Sequence, residues 1–277
     1  MTTAPFYAVL GQPIAHSRSP RIHAAFAAQF GLPLRYEAIA APVDGFAATL
    51  RQLRDQGLQG CNVTLPFKPE ALALADAASE RARRAGAANT LGWSAEGRLW
   101  ADNTDGQGLC QDLAGAGLAV RGRRLLLLGA GGAAAGCLAP LMAAAPASIH
   151  ISNRSADKVW ALIERHADLG VPLHALAWGA ADALPFDGVI NATSAALGGT
   201  ALQLPAHLFA PGAWALDMVY GPAAAPFLAA ARAQGAQGRD GLGMLVAQAA
   251  LAFARWHGQT PATAPVFNAL RAEVTQP

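Results

Sequence analysis

The stretch RRLLLLGAGGAA, residues 123–134, decides the fold. Four consecutive leucines form an unbroken apolar run, as expected of a strand covered on both faces rather than one with a wet side. The glycines that follow end the strand in a tight turn, and the alanines after them open a helix. The turn fits G-x-G-x-x-A: Gly129 permits the sharp bend, Gly131 admits a pyrophosphate against bare backbone, and Ala134 lets helix and strand pack closely. The helix start adds free N–H groups and the positive end of its dipole, which suit phosphate oxygens. A glycine-rich packing turn would share the composition, so the context on either side matters.

Downstream, strand-like and helix-like segments alternate: SIHISN, a helix to about His166, VPLHAL, DGVIN and AWALDMV. That rhythm predicts a doubly wound parallel sheet of Rossmann type. At the end of the second strand an NAD site normally presents an acid to the ribose hydroxyls. Here the segment reads Ser152-Asn153-Arg154-Ser155, with Lys158 one turn later and the nearest acid, Asp157, inside the helix. A guanidinium and an ammonium suit a 2′-phosphate, so the expected cofactor is NADP. A solvated helix start capped by Ser155 is the plainer alternative.

Upstream, FYAVLG, LRYEAIA and QGCNV read as strands separated by two helices. The first helix is expected to start at Ser19 as N-cap with Pro20 at N1, and to close at Gly31; Asp44 is expected to cap the second, which runs to Gly57. A short helix over Lys68–Asp76 follows, then NTLGW and RLWAD as a hairpin around Ala95-Glu96-Gly97. This half is α/β with a mixed sheet. The expected organisation is a substrate domain over 1–104, a dinucleotide-binding domain over 105–240, and C-terminal helices over 241–277 that pack back on the first domain, with the active site in the cleft between the two.

Composition excludes several classes. The chain has 277 residues, 53% hydrophobic and 14% charged, which rules out low-hydrophobicity disorder. About a quarter of it is alanine, which contributes little buried area per residue. Twenty basic against eighteen acidic residues give a net charge of +2, so nucleic acid and anionic membrane are not expected partners. Three cysteines, Cys61, Cys110 and Cys137, form no paired or metal-binding pattern; no metal is expected, and a reducing cytoplasm is the natural compartment. MTTAPFYAVLG lacks the basic start of a signal peptide. The uncharged run from Leu125 to Ile149 is long enough for a membrane span but is interrupted by Gly129, Gly131, Gly132, Gly136, Pro140 and Pro146.

Polar residues gather in three further places. In GQPIAHSRSPRIH, Ser17 and Ser19 project to one side of an extended segment beside helix N–H groups, a neutral cradle for a carboxylate. Each also has a local reading, Ser17 as a turn residue and Ser19 as an N-cap, and His16 and His23 read as packing or capping histidines. NVTLPFK sets Asn62 and Thr64 at a strand exit, where α/β sites collect, with Lys68 just beyond. NTDG puts Asp105 at a helix start, where a carboxylate is electrostatically favoured. A lysine and an aspartate brought together supply a proton donor and the group that orients it. Taken singly, each is an ordinary surface charge.

Together GQPIAHSRSP, NVTLPFK, GAANTL, DNTDG, GAGGAA, NRS, NATS, DMVY and DGLGMLVAQAALAFARW resemble the shikimate dehydrogenase family, in its order and over essentially the whole chain. The resemblance implies reversible reduction of 3-dehydroshikimate to shikimate with NADPH. It implies that Ser17 and Ser19 hold the substrate carboxylate. Thr64, Asn89, Asp105 and Gln248 would bind its hydroxyls, with Tyr220 alongside on the nicotinamide side. Lys68 would be the acid/base, assisted by Asp105. The cofactor side would comprise Gly129, Ala130, Gly131, Gly132, Ala133, Asn153, Arg154, Ser155, Lys158, Thr193, Met218 and Gly241. The implied assembly is a monomer or homodimer. The chain departs from the family pattern at Ala24, at Ala195-Ala196 before Leu197, and at Ala225.

Three other functions fit parts of the pattern. A quinate/shikimate dehydrogenase using NAD is opposed by Arg154 and Lys158. A folate-linked dehydrogenase of related build leaves Ser17, Ser19 and Gln248 unexplained. A non-catalytic nucleotide sensor has no use for an intact Lys68 and Asp105.

Overall fold

The computed structural model describes residues 4–180, 185–193 and 202–274. The chain divides into two compact units, one running to Gly108 and including Val246–Leu270, the other spanning Leu109–Leu245 and the chain from Arg271 on.

In the first unit, β1 (Phe6–Gly11), β2 (Arg35–Ala40) and β3 (Leu58–Val63) are parallel, while β5 (Thr90–Trp93) and β6 (Leu99–Asp102) form the expected hairpin. Together with the two-residue β4 (Ala77–Ala78) they make a mixed sheet in the order β2-β1-β3-β5-β6-β4. Helices α1 (Ser19–Gln29), α2 (Phe46–Asp55), α3 (Lys68–Ala73) and α4 (Glu80–Ala85) intervene. Phe46, Leu50 and Leu53 of α2 and Phe67 and Ala71 pack on Phe6, Leu10, Leu58, Val63 and Leu91 of the sheet.

The second unit begins in α5 (Asp105–Gly115). Its sheet is wholly parallel, β7 (Arg124–Leu128), β8 (Ser148–Ser152), β9 (Leu173–Leu176), β10 (Phe186–Asn191), β11 (Phe209–Asp217) and β12 (Gln237–Asp240), in the order β12-β11-β10-β7-β8-β9. This is the doubly wound order, reversing between β7 and β10. The four leucines divide by parity, as a strand's side chains must. Leu125 and Leu127 enter a core with Leu109, Leu113, Cys137, Leu138 and Leu141. Leu126 and Leu128 enter another, with Phe227, Leu228 and Ala231. Helices α6 (Gly132–Ala143), α7 (Ala156–His166) and α8 (Ala225–Ala233) belong to this unit. The chain ends in α9 (Leu242–His257) and α10 (Thr263–Val274).

Several local expectations are corrected. Arg18, not Ser19, is the N-cap of α1; Ser19 is its first helical residue, and Pro20 the second. Gly45, not Asp44, caps α2, with no side-chain hydrogen bond. The helix from Lys68 stops at Ala73, and a bridge strand and α4 follow, capped by the Ser79 hydroxyl accepting from Ala82 N–H. Strand β12 carries QGRD, whose polar, half-exposed character gives no apolar alternation to read. The helix of the Leu125–Ile149 run continues through Pro140, and no helix among the described residues is long and apolar enough to cross a membrane. The sequence breaks expected at 104/105 and 240/241 sit near, not at, the unit limits, because the chain changes unit within the continuous helices α5 and α9.

Candidate active site and nucleotide-binding residues

Strand β3 delivers Asn62 to the carboxyl edge of the first sheet, and the loop beyond it turns back at once. Thr64 N–H donates to Leu10 C=O at 2.9 Å and Phe67 N–H to Thr64 C=O at 3.1 Å, which brings Lys68 to the first turn of α3. Gly11 is required opposite, since any Cβ there would overlap the Thr64 methyl. Asp105 begins α5, its N–H bonded to Asn103 Oδ1 at 3.1 Å. Lys68 Nζ donates to Asp105 Oδ2 at 2.6 Å, with side-chain exposures of 17% and 9%. The pair expected from NVTLPFK and NTDG is therefore formed, nearly out of water, where charge–charge attraction is stronger than at an open surface.

Asn89 closes the other side of Asp105. Its Nδ2 lies 2.8 Å from Asp105 Oδ1, 2.9 Å from Thr104 Oγ1 and 3.2 Å from Gln248 Oε1. Gln248 reaches this cluster from α9 because Gly108 lets α5 approach closely; a Cβ at Gly108 would stand 2.6 Å from Gln248 N. Lys68, Asp105, Asn89 and Gln248 thus form one hydrogen-bonded group. Thr64 stands half-buried in the loop leading to Lys68. Ser17 and Ser19 are joined to each other, Ser19 N–H donating to Ser17 Oγ at 3.3 Å, and not to that group. Ser17 is half-buried and Ser19 buried.

Around this group lie further polar residues, of which Ser79, Arg81 and Tyr36 were singled out by no motif. Asp102 accepts from Arg81 Nε at 2.6 Å and Nη2 at 2.5 Å and from Ser79 Oγ at 2.6 Å, and takes Asn103 N–H at 2.8 Å. Burial alone would raise the Asp102 carboxyl, but the Arg81 fork and the other donors hold it below the usual carboxylate range. The loop carrying Asp105 is anchored by that ion pair. Asn62 accepts from Tyr36 OH at 2.7 Å and His23 Nε2 at 3.1 Å, and His23 stacks on Tyr36 with ring centroids 4.2 Å apart.

In the second unit, Gly129 has φ +106°, and a Cβ there would meet the Ala192 carbonyl at 3.1 Å. Gly131 is the N-cap of α6 without a side-chain cap, and both Gly131 and Gly132 are exposed, with open space where a Cβ would stand. Ala130 and Ala133 are half-buried, and Ala134 is buried in the helix–strand contact. An uncapped, bare helix start of this kind fits a pyrophosphate. At the end of β8, Asn153 Nδ2 donates to Ser155 C=O at 3.1 Å, and Arg154 and Lys158 are exposed. Ser155 occupies the N-cap of α7, but its side chain makes no cap hydrogen bond, so the plain capping role is not what it performs.

The ends of β10, β11 and β12 are tied by a buried polar network. Asn191 Nδ2 donates to Asp217 Oδ2 at 2.9 Å, while Asn191 Oδ1 accepts from Thr193 Oγ1 at 2.7 Å. Burial raises the Asp217 carboxyl to about 6; Val219 N–H and Asn191 oppose the rise, and the charge of Asp240 adds to it. Met218 N–H donates to Asn191 C=O at 2.9 Å and Gly241 N–H to Val219 C=O at 2.9 Å; any Cβ on Gly241 would overlap the Met218 carbonyl. Asp240 accepts from Gly221 N–H at 3.0 Å, next to Tyr220, and from the Arg271 fork. Thr193, Met218, Tyr220 and Gly241 are therefore held at one edge of the second sheet. An apolar hollow lined by Leu128, Ser152, Leu176, Trp178 and Leu204, also unforeseen, opens at the carboxyl ends of β7, β8 and β9. Of the departures from the family pattern, Ala24 lies in α1 and Ala225 begins α8, whereas Ala195, Ala196 and Leu197 fall outside the described residues.

Comparison with known proteins agrees over nearly the whole chain. Residues 9–91 match the model of the shikimate dehydrogenase substrate binding domain, and residues 241–271 that of the shikimate 5′-dehydrogenase C-terminal domain. The NADP(+) shikimate dehydrogenase of Dechloromonas aromatica is 52% identical, covering 97% of this chain and 98% of its own. Among solved structures, an enzyme of Pseudomonas putida is 43% identical with TM-score 0.91, covering 99% of each chain. A shikimate 5-dehydrogenase of Thermus thermophilus, crystallised with NADP(H) and shikimate, is 34% identical with TM-score 0.83, covering 96% of this chain and 98% of its own. With about half its residues identical to such relatives over nearly the whole chain, and with one doubly wound and one mixed sheet, this chain belongs to the shikimate dehydrogenase family.

Proposed function

We propose that the chain catalyses the reversible, NADPH-dependent reduction of 3-dehydroshikimate to shikimate. The observation that carries the chemistry is the Lys68–Asp105 pair, 2.6 Å apart and largely buried, with Asn89 and Gln248 on the same carboxylate cluster. Bound NADPH supplies the hydride. The residues of this chain do the rest. Ser17 and Ser19 offer hydroxyls to the substrate carboxylate without adding charge, and Thr64, Asn89, Asp105, Gln248 and Tyr220 take its hydroxyl groups. As the carbonyl carbon is reduced, negative charge grows on its oxygen. Lys68, as an ammonium, stabilises that charge and then transfers a proton to the oxygen, leaving a neutral amine that solvent re-protonates. Asp105 holds the ammonium in place. In the oxidative direction the same amine removes the hydroxyl proton.

The open α6 start, with Gly129, Ala130, Gly131, Gly132 and Ala133, fits the cofactor pyrophosphate. Asn153, Arg154, Ser155 and Lys158 fit its adenosine end, and Thr193, Met218 and Gly241 its nicotinamide end. Cys61, Cys110 and Cys137 form no disulfide among the described residues, which supports a cytoplasmic enzyme. An activity matrix of shikimate and quinate, each with NADP and NAD, tests the reading; turnover confined to quinate or to NAD would displace it. Arg154→Ala is expected to raise the NADP Michaelis constant by roughly tenfold to a hundredfold, about 1.5–3 kcal/mol, and to leave NAD use nearly unchanged. An unaltered NADP/NAD preference in steady-state kinetics would place the phosphate contact elsewhere.

A further inference from the structure

A hydrogen-bonded chain runs through the first unit from Tyr36 and His23 to Asp105. We infer that Asn62 and Thr90 are positioning residues that set the polarity of the Asn89 amide and, through it, shikimate binding; this rests on the function proposed above.

The direction of each bond follows from groups that can act in only one way. Asn89 C=O can only accept, and Asn62 Nδ2 lies 3.2 Å from it, so the amide nitrogen of Asn62 faces that carbonyl. Asn62 Oδ1 then faces two donors, Tyr36 OH at 2.7 Å and His23 Nε2 at 3.1 Å. The same Nδ2 also donates to Thr90 Oγ1 at 3.3 Å. A hydroxyl that accepts there keeps its hydrogen for another partner, and Thr90 directs it to Asn89 Oδ1 at 2.8 Å. Thr104 N–H, which can only donate, meets the same Asn89 oxygen at 2.9 Å. The Asn89 nitrogen is left facing Asp105 Oδ1, Thr104 Oγ1 and Gln248 Oε1, and Asp105 keeps Oδ2 for Lys68.

The polarity matters because the links are out of water: Thr90 is 0% exposed, Asn89 2% and Asn62 5%. A reversed Asn89 amide would set oxygen against the Asp105 carboxylate and the Gln248 oxygen, a repulsion felt strongly by groups this deeply buried. With the amide fixed, Gln248 turns its oxygen to Asn89 and has its NH2 at the other end. The substrate hydroxyls would meet a fixed pattern of donors and acceptors, which Asn62 and Thr90 help to set from behind Asn89.

Thr90→Val keeps the shape and removes the hydroxyl. Shikimate affinity, by calorimetry without cofactor, is expected to weaken on the order of tenfold, with a parallel rise in its KM. The NADP KM should stay within about twofold, since that site depends on other residues. Thr90→Ser, which restores the hydroxyl, is expected to return shikimate binding to the parent value. Unchanged shikimate affinity in Thr90→Val overturns the inference; so does equal weakening in Thr90→Ser, which would trace the effect to the lost methyl group. If Thr90→Val does not fold, Tyr36→Phe, removing a donor at the far end of the chain, should weaken shikimate in the same direction, and no change there overturns it. A parent enzyme that neither binds nor turns over shikimate sinks the substrate reading itself, and this inference with it.

Discussion

Lys68→Ala is expected to lower kcat by about 10²–10⁴-fold, or roughly 3–5 kcal/mol at 1.36 kcal/mol per decade, while shikimate binding weakens far less. The asymmetry follows from when the ammonium is needed. In the ground state the substrate carbonyl is neutral and asks for only an ordinary hydrogen bond. In the transition state its oxygen carries growing negative charge, in a site where both Lys68 and Asp105 are mostly removed from water. An interaction that strengthens along the reaction is lost from kcat rather than from binding. The measurement is steady-state kinetics in both directions on a variant shown to be folded and to bind NADPH. A kcat within about tenfold of the parent would make Lys68 a binding residue and move the search for the proton donor to Asp105 or a water.

Acidification should destabilise the protein through His23. Burial pushes the imidazole down to about 3; the hydrogen bond from its Nε2 to Asn62 works against the shift, and the nearby His257 adds to it. Its folded value lies below that of the unfolded chain, about 6.5, so the unfolded state takes up the proton first. The folded state therefore keeps the full benefit of a neutral His23 above about pH 6.5. It loses stability at about 1.36 kcal/mol per pH unit below that, roughly 3 kcal/mol by pH 4. Asp217 works in the opposite sense over part of the range, because its raised carboxyl is more easily protonated when folded. Comparing the parent with His23→Gln, which retains an N–H donor for Asn62 but cannot titrate, isolates the histidine. Urea unfolding between pH 7 and pH 4 should show a shallower decline in the variant. Parallel declines would mean that His23 is not the group that takes up the proton.

How much could be read beforehand depended on the reach of each interaction. The leucine run and the glycines after it were legible because strand parity and the φ +106° of Gly129 are local demands that only certain residues meet. Lys68 and Asp105 could be singled out since each sits where a strand end or helix start gives it a role. Of the partners that hold them in place, Asn89 and Gln248 are named only through the family resemblance, and Arg81 not at all. Asn89 and Gln248 meet across 159 positions, and Arg81 and Asp102 across 21, with no period linking the members of either pair. Caps failed for a related reason. Asp44 and Ser19 are the favoured residue types, yet the helices start one residue away from the positions they were given, because the loop leading in fixes the first turn. The polar QGRD strand was missed because it makes its stabilising contacts through backbone pairing with β11 and through the salt bridges of Arg239 and Asp240, not through an apolar face.

The division of the chain has a consequence for its synthesis. The first unit needs Val246–Leu270, made after the whole of the second sheet. Phe253 stacks with Phe30 and meets Phe26 edge-on, Trp256 Nε1 donates to Leu91 C=O at 3.0 Å, and Gln248 completes the cluster at Asp105. Until Val246–Leu270 has left the ribosome, the aromatic face of α1 therefore lacks its covering helix. A nascent enzyme of this build would carry a finished β7–β10 core while its amino-terminal half waits, apolar surface exposed, for α9 to emerge.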